Sequence, residues 1–247
     1  PDAMHWRDQA LILGARRFGE HGLILDVLTA SRGRRAGLVH GGSSRKRRGQ
    51  FEPGNSLDVS WTGRLEDQLG RFDVAEVSIA RAARHLDHAA ALSAVMAVTA
   101  LLRQSVDEGD DAGSALYGPS TLLLDALERW DIWPALYARW ELGLLAALGF
   151  GLDLDQCALS GANDGLTHVS PNTGRAVRGS EAEDYVDRLL PLPRFLVDAA
   201  APSPDHDVAA ALRLTGHFLE RRLFAAVHRN VPAERARLVD RILRDAS

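Results

Sequence analysis

Short apolar runs, each closed by turn-forming residues, fill the first eighty residues and leave few folds open to this part of the chain. The runs lie at residues 10–17, 23–28, 35–40, 57–61 and 72–77. The last two alternate between apolar and polar residues, which is typical of a strand with one buried face. Glycine, serine, proline and asparagine separate the runs and favour turns. We therefore expect a small five-stranded antiparallel barrel of the OB type, although an SH3-like barrel would give nearly the same pattern.

The pattern changes to helical spacing near Ala80. Alanine and leucine dominate the next segments, with apolar residues three and four positions apart. Helices are predicted at 79–103, 121–130 (opened by Pro119), 135–148 and 205–229, and a short last helix after Pro232. Glycines and prolines interrupt residues 151–183, which predicts an irregular insert resembling a degenerate zinc ribbon. The predicted fold is α+β, with an OB domain over 1–80 and a helical domain over 81–247.

Charge is distributed unevenly between these two parts. The chain of 247 residues carries a net charge of -4. Residues 1–80 sum to about +2 and the remainder to about −6, which suggests different binding partners. Cys157 is the single cysteine, so no internal disulfide can form. No apolar stretch is long enough for a membrane span and residues 1–9 lack a signal-peptide pattern, so we expect a cytoplasmic protein without membrane contact.

A basic cluster between residues 31 and 51 is the strongest local signal. It contains no acidic residue. Its seven cations are Arg32, Arg34, Arg35, Arg45, Lys46, Arg47 and Arg48. Cations of this density bind phosphates by releasing counterions, and the preceding glycines and serines allow close approach of a nucleic-acid backbone. A solvated turn, or contact with acidic protein or lipid headgroups, would fit a basic run as well.

Four aromatic residues are interleaved with the predicted strands: Phe18, Phe51, Trp61 and Phe72. Aromatic rings can stack on nucleic-acid bases. For each single residue, however, a place in the barrel core is the simpler interpretation.

Three blocks of sequence resemble the family of the bacterial recombination mediator RecO. The first combines ALILGARRFGEHGLILDVLTASRGRRAGL at 10–38, VHGG at 39–42, the cations at 45–48 and FEPGN at 51–55. The second is WELGLLAALGFGLDLDQCALSG at 140–161, and the third is VSPNTGRAV at 169–177. All three occur in the family's order, although none is a catalytic motif.

The resemblance implies an OB-fold followed by a helical domain, and a nucleoid-associated role in DNA repair and recombination. It implies binding of single- and double-stranded DNA, strand annealing, and help in loading the recombinase onto strands covered by single-strand-binding protein (SSB). The implied partners are DNA, the RecR mediator and the C-terminal tail of SSB. An OB-fold RNA-binding or translation-associated protein is the alternative among binding proteins.

Catalysis is not expected. The chain has neither a phosphate-binding loop of the P-loop type nor an H-E-x-x-H pair. A metal-dependent nuclease or hydrolase would need convergent carboxylates or a metal. Some members of the resembled family bind zinc through paired cysteines, but Cys157 is followed by Ala158, Leu159 and Ser160. Because the pair is missing, we expect no zinc and no other cofactor.

A second predicted binding site lies on the long helix near the C-terminus. Its residues share part of one helix surface beside apolar positions, and they are Arg213, His217, Arg221 and Arg222. An ordinary amphipathic helix explains this spacing without any partner. Given the resemblance, however, a basic rim beside an apolar groove suits the acidic and hydrophobic SSB tail.

Overall fold

The first five strands close into a barrel. The computed structural model describes residues 3–64 and 68–246. The strands are β1 (Met4–Phe18), β2 (Gly22–Thr29), β3 (Gly33–Val39), β4 (Ser56–Gly63) and β5 (Gly70–Ile79). They follow the order β1-β2-β3-β5-β4, with β1 paired to β4 and a parallel pair between β3 and β5. The predicted five-stranded OB-type barrel is confirmed.

Aromatic rings fill one part of the barrel core. Trp6 stacks on Trp61 with ring centroids 5.3 Å apart, and Phe72 meets Trp6 edge-on at 6.5 Å. A side chain at Gly70 would place its Cβ atom 2.2 Å from the Trp61 ring. Glycine is therefore required where β5 crosses this indole.

A short helix, α1 (Arg45–Arg48), connects β3 to β4 together with the 3₁₀ turn Gly49–Phe51. After the barrel come α2 (Arg81–Arg84), α3 (Ala89–Ser105) and α4 (Ser114–Asp125). Helix α3 packs on β1, and α4 packs on β2 and β3. The barrel and these helices form one compact unit, residues 1–128 with 232–238.

Two helix predictions in this unit are wrong. The helix expected over 79–103 is broken at residues 85–88, because β5 continues to Ile79 and the buried side chain of Arg81 fixes the first turn against the barrel. The next helix begins at Ser114, five residues before Pro119. The 3₁₀ turn Asp111–Gly113 already starts the helix, so Pro119 costs one backbone hydrogen bond inside it.

The second compact unit, residues 129–231 with 239–247, is mostly helical. It contains α5 (Trp133–Ala147), α6 (Asp205–Phe218) and the π-helical turn Leu219–Phe224, and α7 (Ala233–Asp245) extends into it. Glu141 of α5 is fully buried. Its carboxylate accepts a hydrogen bond from Tyr137 Oη of the same helix at 2.6 Å and one from Thr215 Oγ1 at 2.5 Å, and the second joins α5 to α6.

The predicted insert contains regular structure. The strands β6 (Leu166–Val169), β7 (Ala176–Arg178) and β8 (Leu190–Pro191) form a small sheet in the order β7-β6-β8. Beside it, Cys157 packs with Val177 and Ala182. The likeness to a zinc ribbon and the domain boundary at residue 80 stay predictions. Within 3–64 and 68–246, no helix combines the length and apolar character needed to cross a membrane.

Substitution of Arg81 tests how much its hydrogen bonds, which link α2 to β4 and α4, stabilise the fold. Its side chain is 2% exposed and donates to Asp125 Oδ1 at 2.8 Å, to Ser56 Oγ at 2.5 Å and to the Gly54 carbonyl at 3.3 Å. Arg81→Ala leaves the buried Ser56 hydroxyl and Gly54 carbonyl without this donor, so we expect the free energy of unfolding to fall by about 3 kcal/mol.

Urea denaturation measures this change. The control is Arg71→Ala, which removes an ion pair between Arg71 and Asp73. Because the Arg71 side chain is 58% exposed, this substitution should lower the free energy of unfolding by less than about 1 kcal/mol. Equal losses from the two substitutions would contradict the structural role of Arg81.

Candidate nucleic-acid and peptide surfaces

Strand β3 separates the seven cations of the basic cluster into two groups. Arg32, Arg34 and Arg35 lie at its start, whereas Arg45, Lys46, Arg47 and Arg48 form α1 beyond its end. Seven residues of extended strand span about 20 Å. The continuous cluster of the sequence is therefore two clusters in space.

At the start of β3, the side chains of Arg34 and Arg35 make hydrogen bonds within the protein. Arg34 donates to both carboxylate oxygens of Asp26, at 2.8 and 2.7 Å, and to the Val106 carbonyl at 2.8 Å. Burial disfavours its charge, but Asp26, Glu108 and Asp107 together outweigh that effect and raise the pKa of Arg34 above the ordinary value. Arg35 is 4% exposed. Both side chains face neighbouring parts of the same unit, in which Arg34 anchors the end of α3.

The segment between α3 and α4 approaches β3 closely at Gly33. Its φ of 64° is left-handed, and a Cβ atom there would lie 2.2 Å from the Asp110 carbonyl oxygen. The third cation, Arg32, places its guanidinium 5.5 Å from the centroid of the Trp6 ring and is partly exposed. Arg32 remains closer to solvent than Arg35.

Helix α1 presents its cations differently. Arg45, Lys46 and Arg48 are exposed, and Arg47 is half-buried against the ring of Phe51 at 5.2 Å. Phe51 itself is 3% exposed and packs in the barrel core. Contact between Arg47 and the buried ring of Phe51 links this single turn of helix to the barrel, and the other three cations extend towards solvent.

The turn between β1 and β2 lies beside α1. Ser43 donates its backbone N–H to the His21 carbonyl and its hydroxyl to the Glu20 carbonyl, each at 3.4 Å. Arg16, Arg17 and Phe18 precede this turn and are exposed. We call residues 16–22 and 41–52 the basic end of the barrel. Its six cations include Arg16 and Arg17, and its acidic residues are Glu20 and Glu52.

The outer face of β1, β2 and β3 is covered within the same unit. Arg103 of α3 donates to the Leu13 carbonyl at 3.4 Å, and Glu108 Oε1 accepts from the Ala36 N–H at 3.0 Å. OB-folds commonly bind oligonucleotides on strands 2 and 3 and on adjoining loops. Here α3 and α4 occupy that face, so the basic end remains open to a nucleic acid.

The four interleaved aromatic residues also separate into two groups. Phe51, Trp61 and Phe72 are 3%, 1% and 5% exposed, which confirms their assignment to the core. Phe18 is 49% exposed and is not a core residue. Of the four, it is the aromatic side chain that lies on the basic end.

The four residues of the predicted peptide site differ in their contacts: two bind a neighbouring turn, and two are exposed. His217 Nε2 contacts the Pro171 carbonyl at 3.0 Å, and Arg222 donates to the Asn172 carbonyl at 3.3 Å while covering the Phe218 ring. These two side chains hold the turn between β6 and β7. Arg213 and Arg221 are exposed.

A groove elsewhere in the second unit has the features expected of a peptide site. Its volume is about 1060 Å³, and Leu142, Leu152, Leu154 and Val197 contribute apolar surface. Arg139 and Arg194 lie along it. Arg194, at 80% side-chain exposure, contacts Asp198 at 3.4 Å. Sequence spacing could not identify this groove, because its lining comes from four separate segments.

Cys157 is buried beside a hydrogen-bonded group in the insert. Its Sγ accepts from the Arg178 N–H at 3.4 Å and donates to Glu181 Oε2 at 3.3 Å. In the described part of the chain, no group of three or more histidine, cysteine or acidic side chains is arranged to hold a metal ion.

Family models match most of the chain. The model of the N-terminal domain of recombination protein O matches residues 4–80, and that of its C-terminal domain matches residues 86–230. The chain belongs to the recombination protein O family. The N-terminal match covers the barrel with its basic end, and the C-terminal match covers α3 to α6.

Curated members of the recombination protein O family agree over nearly their full length. A DNA repair protein RecO from Hyphomonas neptunium is 66% identical over 239 residues, which are 97% of this chain and 98% of the relative. Proteins of the same name from Ruegeria sp. and Methylorubrum extorquens are 45% and 44% identical, over 98% and 96% of this chain and 99% and 97% of the relatives.

Substitution of Arg34 tests whether the start of β3 has a structural role or a DNA-binding role. Arg34→Ala removes two charge-assisted hydrogen bonds to Asp26, and we expect the free energy of unfolding to fall by about 2 kcal/mol. The affinity for a single-stranded oligonucleotide, measured well below the melting temperature, should change less than about twofold. A large loss of DNA affinity with an unchanged free energy of unfolding would show that Arg34 contacts DNA.

Proposed function

We propose that this protein is a DNA repair and recombination mediator that holds DNA strands on the basic end of its barrel. The observation that carries the proposal is the group of four cations in α1, of which Arg45, Lys46 and Arg48 are exposed and Arg47 packs on the buried ring of Phe51. The helix itself contains no acidic residue. The names of the family's curated members support a role in DNA repair. Arg34 serves the proposal indirectly, because its hydrogen bond to the Val106 carbonyl holds the end of α3 against the barrel.

Cations of this kind bind any DNA sequence. They neutralise phosphates and release counterions, so affinity falls steeply with salt and depends little on base order. Binding of single strands, and of duplex through the same phosphates, follows from this chemistry. Reducing the repulsion between two strands at one surface would also assist annealing.

The partners proposed with DNA are SSB, the recombinase that replaces it, and the RecR mediator. Binding the C-terminal tail of SSB would bring the protein to covered strands and assist recombinase loading. The tail has two candidate sites, the helix residues around Arg213 and Arg221 and the groove beside Arg139. We favour the groove, because it offers apolar surface beside Arg139 and Arg194, as an acidic and hydrophobic tail requires, although Asp155 and Asp164 also line it and Arg194 contacts Asp198. At the helix, His217 and Arg222 already contact the turn between β6 and β7.

Removing the α1 cations tests the DNA site. A variant with alanine at Arg45, Lys46, Arg47 and Arg48 should bind a labelled single strand more weakly at low salt. The slope of log affinity against log salt should become shallower by up to about 3, because each phosphate contact on a single strand contributes roughly 0.7. Fluorescence anisotropy across a salt series measures both quantities.

The control variant removes the same charge elsewhere. Arg84, Arg129, Arg188 and Arg237 are exposed and lie outside the basic end, and their replacement by alanine should leave most of the slope intact. Equal slopes for the two variants would mean that net charge, not the basic end, governs binding. A competition with RNA of the same sequence tests the alternative of an RNA-binding protein.

The two candidate tail sites are distinguished by charge reversal. Arg139→Glu with Arg194→Glu should weaken binding of a peptide with the SSB tail chemistry by more than about tenfold. Arg213→Glu with Arg221→Glu, which changes charge equally, should have little effect. Titration calorimetry measures both variants, and the opposite ranking would place the tail on the helix of Arg213.

A further inference from the structure

We propose that Phe18 is a base-stacking residue, and that it gives the basic end a preference for unpaired strands. This inference rests on the proposed function, because it assigns a second contact to the same surface. Phosphate binding alone does not distinguish a single strand from a duplex. A ring that stacks on the free face of a base distinguishes the two, because the bases of a duplex are already stacked on one another.

Exposure is the first observation. Phe18 is 49% exposed, although phenylalanine is among the residues most often buried in folded proteins. The last four residues of β1, 15–18, are all exposed, whereas β2 opposite them is buried at Leu23, Ile24 and Leu25. The end of β1 therefore offers its own side chains to solvent beside a well-packed partner strand.

The fixed backbone at Phe18 is the second observation. Phe18 pairs with Gly22 in the β1–β2 ladder, so its backbone is held by the sheet and not by a loose loop. Ser43 ties the adjoining turn to the segment that leads into α1. Because the backbone at Phe18 is already ordered, binding a base has to order only the side chain, which favours stacking.

Neighbouring charge is the third observation. Arg16 and Phe18 are two residues apart and so lie on the same face of β1, while Arg17 lies on the opposite face. The turn that follows them is hydrogen-bonded through Ser43 to the segment that leads into α1 and its cations. A strand whose phosphates contact these cations brings its bases within reach of the ring. Single-strand-binding surfaces combine stacking rings with a positively charged track in the same way.

The experiment compares two probes that share a phosphate backbone. One is a labelled thymidine oligonucleotide, and the other is an abasic strand of equal length. Phe18→Ala should weaken binding of the thymidine strand by about tenfold and binding of the abasic strand by less than about twofold. Phe18→Trp should restore binding of the thymidine strand, and Phe18→Leu, which keeps apolar volume without a ring, should not.

Controls separate this inference from the proposed function. Tyr185→Ala removes an aromatic side chain of 37% exposure in the second unit and should leave both affinities unchanged. If Phe18→Ala leaves thymidine binding intact, or weakens both probes equally, the stacking role is rejected. The variant lacking the α1 cations should weaken both probes, and if it does not, the proposed function itself is rejected.

Discussion

The packing of α3 and α4 against the outer face of β1, β2 and β3 determines which surface of the barrel can bind a ligand. The ion pair between Arg34 and Asp26 and the hydrogen bond from Arg34 to Val106 hold the end of α3 on the strands. Arg81 performs the same task beside β4. Because α3 and α4 pack on the strands that many OB-folds use for oligonucleotides, we propose the basic end as the DNA-binding surface.

Arginines therefore have two different uses in this unit. Where a carboxylate or a carbonyl group lies within hydrogen-bond distance, as for Arg34 and Arg81, the guanidinium stabilises the fold. Where the chain forms a short exposed turn anchored by one buried ring, as in α1, the cations remain accessible to phosphates. Burial and partners decide between the two uses: Arg34 and Arg81 have partners far away in sequence, whereas the anchor of α1 is four residues from Arg47.

Alternation and turn residues are sufficient to predict the five strands, because they report local geometry. The first half of β1 lacks this signal, since Trp6 is surrounded by polar residues. Alternation in β3 also carries a signal about Arg35: it shares the parity of the buried Val39, which places it on the inward face. The partners of Arg34, the pairing of the β1–β2 turn with α1, and the groove in the second unit depend on tertiary contacts that no local pattern reports.

Amide hydrogen exchange with and without a bound single strand can locate the DNA site, because it reports on every segment of the barrel at once. If DNA binds the basic end, exchange should slow at residues 43–51 and 18–22 when the oligonucleotide is added, with no change at the start of β3 around Arg34 and Arg35. Protection confined to the start of β3, with exchange at the basic end unchanged, would contradict the assignment of DNA binding to the basic end.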